Sequence, residues 1–282
     1  MTINEQELLN RAFPELSFSV SQRDAIIYGL GIGLGEDPLN EDQLRFVYEE
    51  GLQVFPTMPV VLGSPGMWFG DAGLNWRKLV HAEQSLTNHR PIKIGEPLRA
   101  KAKVIDLIDK GAEKGAIMYV ERAIYTPDGE PVANLVSGYM LRGDGGYGGK
   151  DRKVETSWKL PEREPDAVAK LNTLPQSALI YRLSGDMNPL HADPKSAVRS
   201  GFDRPILHGL CTYGLMGRAV LESFCNYDPA RLRAVSGRFS KPVYPGDTIA
   251  VRMWRDGSEI IFDASVQGRE GVVFNQGLAA IS

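Results

Sequence analysis

His89-Arg90-Pro91-Ile92-Lys93-Ile94-Gly95-Glu96-Pro97-Leu98 and Ser240-Lys241-Pro242-Val243-Tyr244-Pro245-Gly246-Asp247-Thr248-Ile249 are one passage written twice, each leading into an alternating, strand-like run. Pro91 and Pro242 stand 151 positions apart, as do Gly95 and Gly246. The same offset lays Pro38-Leu39-Asn40-Glu41-Asp42 over Pro189-Leu190-His191-Ala192-Asp193. Two matches in one register, far apart in the chain, point to duplication of a unit of about 150 residues. We therefore divide the chain into residues 1–150 and 151–282.

Each unit reads as helical material followed by antiparallel strands. In the first, Ser21 and Asp24 open a helix by offering oxygens to its free N–H groups. Strands are predicted over 98–108, 116–125 and 131–141, which are rich in Val, Ile and Tyr, and Pro127-Asp128-Gly129 makes a hairpin turn. In the second, 210–224 is a long apolar stretch with small residues, as a buried helix requires. Strands follow over 248–256, 259–267 and 271–280, with a hairpin turn at Asp256-Gly257. A helix wrapped by an antiparallel sheet, twice over, is an α+β arrangement.

Composition narrows the function classes. At 43% hydrophobic and 24% charged residues the chain is an ordinary globular protein, long enough to bury its core without disulfides or metals. A net charge of -3 gives no electrostatic reason to expect a nucleic-acid partner. Cys211 and Cys225 share one apolar stretch and form no disulfide framework, which suits a reducing compartment. The first residues lack a signal peptide's basic and apolar regions. The last residues, Ala280-Ile281-Ser282, are not a peroxisomal address. No apolar run approaches the roughly 18 residues of a membrane span, so a cytoplasmic protein that binds no membrane is expected.

Two glycine-rich stretches invite a nucleotide reading and fail it. Gly143–Lys150 ends in Gly-Lys, but Asp144 stands where a phosphate loop needs Gly and Asp151 replaces its Ser or Thr. It is read as a flexible connector. The 29–35 run has no preceding strand and lacks dinucleotide-loop spacing. The four tryptophans, Trp68, Trp76, Trp158 and Trp254, share no spacing and read as core or rim packing. Four dispersed histidines and two cysteines make a metal ligand set hard to assemble, so no metal is expected.

The chemistry concentrates in Tyr181-Arg182-Leu183-Ser184-Gly185-Asp186-Met187-Asn188-Pro189-Leu190-His191-Ala192-Asp193-Pro194. An acid and an imidazole lie five residues apart across a Pro-stiffened turn, and Asn188-Pro189 disfavours helix there. Asp193-Pro194 reads as an N-cap and first helical residue, which fixes His191 just ahead of a short helix. A carboxylate and a neutral imidazole on one water could exchange protons near neutral pH. The structural alternative is an Asp capping a turn and a His bonded to backbone. A second passage, Gly201-Phe202-Asp203-Arg204-Pro205-Ile206-Leu207-His208-Gly209-Leu210-Cys211-Thr212, runs into the long apolar helix. A glycine N–H at that helix start can hold an oxygen as it gains negative charge; taken alone, His208-Gly209 is equally a plain turn with a capping residue.

Together, residues 181–194 and 201–214 resemble the (R)-specific 2-enoyl-CoA hydratases of the MaoC-like group, nearest the hydratase module of the peroxisomal type-two multifunctional enzymes. Weaker similarity covers Tyr48-Glu49, Gln84, the 145–150 connector and 238–246. The resemblance implies a tandem (double) hot-dog fold, a long helix in each half wrapped by a curved antiparallel sheet, and a homodimer. It implies reversible hydration of trans-2-enoyl-CoA to (R)-3-hydroxyacyl-CoA in fatty-acid metabolism or β-oxidation. The partners it implies are those CoA thioesters, with no further cofactor. Asp186 and His191 match the catalytic pair, Asn188 sets their geometry, and Gly209 meets the thioester carbonyl. Glu49 matches a protic residue, while Lys110, Phe239, His81 and Ala82 match contacts to the CoA ester. Ala82 replaces a glycine common in the family.

The first copy keeps Pro38, Leu39 and Asp42 but has Asn40 for His191 and Gly35 for Asp186. Asparagine does not exchange a proton near neutral pH. We read this copy as catalytically silent and as shaping the acyl pocket. Rival readings are a hot-dog acyl-CoA thioesterase and a non-catalytic acyl-CoA binding subunit; the 185–191 pattern argues against the first, and intact Asp186 and His191 against the second.

Overall fold

A computed structural model describes residues 3–152 and 159–282; Trp158 lies outside the described residues. The first half contributes β1 (Leu16–Phe18), β2 (Leu79–Asn88), β3 (Leu98–Asp109), β4 (Ala116–Tyr125) and β5 (Pro131–Leu141). The second contributes β6 (Ala167–Asn172), β7 (Leu232–Phe239), β8 (Thr248–Asp256), β9 (Glu259–Val266) and β10 (Val272–Ile281). All join one antiparallel sheet in the order β1-β3-β4-β5-β2-β7-β10-β9-β8-β6. Counted outward from the centre, each half repeats the other's order, so the duplication is present in the topology. The halves meet where β2 pairs with β7, from Glu83 opposite Arg238 to Thr87 opposite Ala234. Gly129 and Gly257 adopt positive φ in the turns expected of them.

Six short or long α-helices accompany the sheet: α1 (Glu5–Leu9), α2 (Gln22–Gly31), α3 (Glu41–Leu44), α4 (Ser177–Tyr181), α5 (Pro194–Arg199) and α6 (Gly209–Phe224). Ser21 and Asp24 close a reciprocal cap on α2, each side chain accepting from the other's backbone N–H. The helical layer is less evenly duplicated than the sheet. Residues Cys211 through Leu221 of α6 are all buried, which makes it the long central helix of the second half. The repeat offset sets Met58 under Gly209, and there the first half forms only the 3-10 turn Met58–Val61. Pro56, Pro59, Gly63, Pro65 and Gly66 account for this, since each breaks or weakens a helix interior.

The core divides accordingly. A large cluster centred on α6 draws on both halves, including Tyr28, Phe55, Leu135, Met216, Phe262 and Phe274. A smaller one packs Phe13, Trp68, Phe69 and Leu74 against Val104, Met118 and Leu141. Trp254 is also buried, whereas Trp76 is exposed. The glycine-rich connector is ordered rather than flexible. The Asp109 carboxylate accepts N–H bonds from Gly111, Gly146, Gly148 and Gly149 at 2.7–3.2 Å. Burial alone would raise its pKa, but those four bonds hold it below the usual carboxylate range. The stretch that resembles a phosphate loop is thus an anion nest filled by the protein's own aspartate.

Close approach fastens α6 to the first half. A Cβ on Gly214 would come within 2.6 Å of Ile32, so glycine is required there. The buried Arg218 donates to Glu222 at 2.7 Å, to Glu36 at 3.0 Å and to the carbonyls of Ile32 and Gly33. Its removal takes the cation from Glu36 and Glu222, leaving Glu222 only Gln43, and takes the donor from two carbonyls. We expect Arg218→Ala to lower unfolding free energy by about 3 kcal/mol, measured as a reduced midpoint in urea with unchanged slope.

Candidate active site

Local turn chemistry shapes the loop before α5. A 3-10 turn over Arg182–Ser184 ends at Gly185 with φ 120°, which leaves Asp186 exposed at the surface. Asp186 Oδ1 accepts the N–H of Asn188 at 3.0 Å, and Asn188 Oδ1 accepts the N–H of Leu190 at 3.0 Å. Two consecutive Asx turns therefore fix the backbone between acid and imidazole. Asp193 caps α5 by accepting from Lys195 and Ser196, with Pro194 as the first helical residue. His191, 8% exposed, is held by its Nδ1, which donates to the Ile206 carbonyl at 2.8 Å. Because a carbonyl can only accept, this bond places the proton on Nδ1 and leaves Nε2 a lone pair.

His208, which sequence reasoning treated as a turn residue, belongs to the same cluster. Its Nε2 donates to the backbone carbonyl of Asp186 at 3.1 Å. Its ring stacks on His191 with centroids 3.7 Å apart and planes 26° apart, and Tyr181 flanks it at 5.2 Å. Its Nδ1 is buried without a partner among the described residues. One ligand-type atom each from Asp186, His191 and His208 lie within 4.8 Å of one another. A metal bound to imidazole lies in the ring plane, and two stacked rings do not share such a point. The trio fits proton exchange better than coordination.

The other wall comes from the first half. His81 pairs with Tyr139 and Glu83 with Gly138, so Ala82 is the extra residue of a bulge in β2. That bulge turns His81 so that its Nε2 donates to the Glu83 carbonyl at 3.0 Å. The His81 ring lies 4.9 Å from Tyr139 and 5.3 Å from Phe239. Phe239 in turn faces Gly209, where an added Cβ would sit 3.5 Å from the ring. As the first residue of α6, Gly209 has no intrahelical acceptor for its N–H, and the helix dipole places positive charge there. The structure thus brings Asp186, Asn188, His191, Gly209, Phe239, His81 and Ala82 into one patch across the β2–β7 seam. Lys110 binds Asp151 and the Arg152 carbonyl, and Glu49 is exposed just after α3; neither belongs to the carboxylate–imidazole trio.

In the first copy the corresponding positions are structural. Asn40 Oδ1 caps α3 by accepting from Gln43, and Gly35 donates its N–H to the Gln43 side chain.

Comparison with known proteins follows this division. A MaoC like domain matches residues 157–275, and the MFE-2 hydratase 2 N-terminal domain matches residues 18–143. Enoyl-CoA hydratase ChsH3 of Mycobacterium tuberculosis is 34% identical, covering 100% of this chain and 99% of its own. The chain belongs to the MaoC-like dehydratase and hydratase 2 family. A MaoC-like dehydratase from Phytophthora capsici superposes with a TM-score of 0.87 at 37% identity over 99% of both chains. A double-hotdog protein of Mycobacterium tuberculosis, 14% identical over 96% of each chain, superposes at 0.55. The fold is the double hot-dog that the resemblance implies.

Burial governs the protonation of this hydratase-family site. It lowers the pKa of His191, against the pull of the Ile206 carbonyl and Asp186. Burial, then the neighbouring His191, pushes His208 down to about 4, and burial likewise takes His81 to about 4. Unfolded histidine titrates near 6.5, so between pH 6.5 and 4 the unfolded chain binds more protons and stability rises with pH. We expect the melting temperature to fall as pH drops through that window, and less steeply in His81→Phe. Equal slopes for both proteins would contradict it.

Proposed function

We propose that this protein adds water reversibly to trans-2-enoyl-CoA thioesters, forming (R)-3-hydroxyacyl-CoA in fatty-acid metabolism, with Asp186 and His191 as the acid–base pair. The observation that carries this reading is the convergence of a carboxylate and an imidazole lone pair beside the N-terminus of α6. The conjugated thioester makes the β-carbon electrophilic. Water held by the pair gives hydroxide to that carbon and a proton to its neighbour; the coupled groups exchange these protons as a unit. The Gly209 N–H and the helix dipole hold the thioester oxygen as it becomes negative.

Asn188 serves as a positioning residue through its turn. His81, Ala82 and Phe239 contact the CoA ester, with Lys110 and Glu49 at the margin. Residues 1–150 are the silent unit that shapes the acyl pocket, and 151–282 the catalytic one. The short turn at Met58–Val61, in place of a long helix, supports the pocket's location in the first half. Unpaired, buried Cys211 and Cys225 support a reducing, cytoplasmic setting. No helix among the described residues is long and apolar enough to cross a membrane. Exposed Leu179, Leu183, Met187 and Val198 support pairing of two copies.

With crotonyl-CoA, enoyl absorbance should fall without release of free thiol. Asp186→Asn and His191→Ala should each lower kcat by about 10²–10⁴-fold, with ester binding retained. Thiol release would indicate a thioesterase, and full activity in both variants would overturn the assignment.

A further inference from the structure

Arg122 interrupts an apolar surface. On β4, alternate residues face one side, and Met118, Val120 and Ile124 on that side are buried. Met118 and Val120 belong to the smaller core cluster and Ile124 to the larger. Arg122 occupies the position between them, opposite Ala102 on β3 and Leu135 on β5. An apolar residue would join the clusters there; a guanidinium keeps them apart.

Among the described residues this cation has no counter-ion. Nη2 donates to the carbonyls of Pro59 and Val60 at 3.3 and 2.7 Å. Nε is buried without a partner among the described residues, and Nη1 donates to no acceptor among them. Burial lowers the Arg122 pKa, and no carboxylate contributes to its environment. A partly buried guanidinium paired only with carbonyls is costly.

Its sheet neighbours lead from it towards His81. The same sheet face carries Leu86, Gln84 and His81 on β2, across from Leu135, Ser137 and Tyr139 on β5. Ser137 donates to Gln84 at 2.8 Å, and Gln84 donates to backbone carbonyls, so those amides and hydroxyls are already satisfied. His81 and Tyr139 feel both Asp186 and Arg122. A polar strip therefore runs from the acid–base pair to Arg122, where the unused donors are.

Resting on the hydratase reading and on the acyl pocket in the first half, we propose that Arg122 selects enoyl-CoA substrates whose acyl chain carries a carboxylate. A guanidinium matches a carboxylate in shape and charge. The strip of His81, Tyr139 and Gln84 would accompany such a chain where a hydrocarbon tail would find polar groups.

The test compares kcat/KM for ω-carboxy trans-2-enoyl-CoA esters of increasing length with methyl-ended esters of equal length. Crotonyl-CoA is the reference in every protein. At the length that reaches Arg122, the native protein should favour the carboxy ester by about tenfold or more. Arg122→Met should reverse that ratio, and Arg122→Lys should retain part of it. Ratios within one protein are insensitive to lost folded material. A native preference for methyl-ended esters at every length, or an unchanged ratio in Arg122→Met, would overturn the proposal. Loss of crotonyl-CoA hydration in the native protein would instead overturn the hydratase reading beneath it.

Discussion

The pairing of β2 with β7 is the constraint on which the site depends. Each strand would otherwise end its half-sheet with unpaired backbone groups. Joined, they make one ten-stranded sheet and set the bulged His81-Ala82 of one half against Phe239 and Gly209 of the other. Side chains secure the register: Arg238 pairs with Glu83 at 3.0 Å, and Tyr119 donates to the same carboxylate at 3.1 Å. Asn88 donates to the carbonyls of Pro56 and Leu232, tying the far end of the seam. The second half holds the Asp186, His191 and His208 cluster, yet His81, which packs against Phe239 on its near side, comes from the first.

What could be read in the sequence followed from local chemistry. The six hairpin strands announce themselves through alternation and Asp-Gly turns. The 186–194 loop does so through Asn, Pro and Asp, whose turn and cap preferences act within a few residues. β2 and β7 were missed because a bulge breaks the period of one, and both are central strands without clean alternation. His208 was undervalued because its stack on His191 is a tertiary contact. The connector was misjudged because its glycines are ordered by Asp109, 37 positions before Gly146. Local composition describes the loop's freedom and says nothing of the anion that removes it.

Neutrality of the imidazoles follows from where the loops deposit them. His191 and His208 are each anchored through one ring nitrogen to a backbone carbonyl, which sets the tautomer. Stacked at 3.7 Å, two protonated rings would repel, and burial adds a desolvation cost to either charge. The resulting free Nε2 on His191 is a proton acceptor. His208 contributes by gripping the Asp186 backbone and the His191 ring together, a role neither a turn nor a helix cap would require.

The two halves differ in side-chain chemistry and in shape together. Asn40 and Gly35 stand where the second half has His191 and Asp186, and helix-breaking residues around Pro59 stand where it has its long helix. A helix satisfies its own interior carbonyls; a single 3-10 turn leaves them in want of donors. Arg122 answers that need at Val60 and adds a second donor at Pro59, whose carbonyl already accepts the Leu62 N–H. A lysine or glutamine would also reach such a carbonyl, but neither carries a planar fork with further donors. Where the first half has no long helix, one residue closes the backbone and keeps a further donor unpaired among the described residues. That coupling gives a physical reason for a cation to persist on an otherwise apolar face.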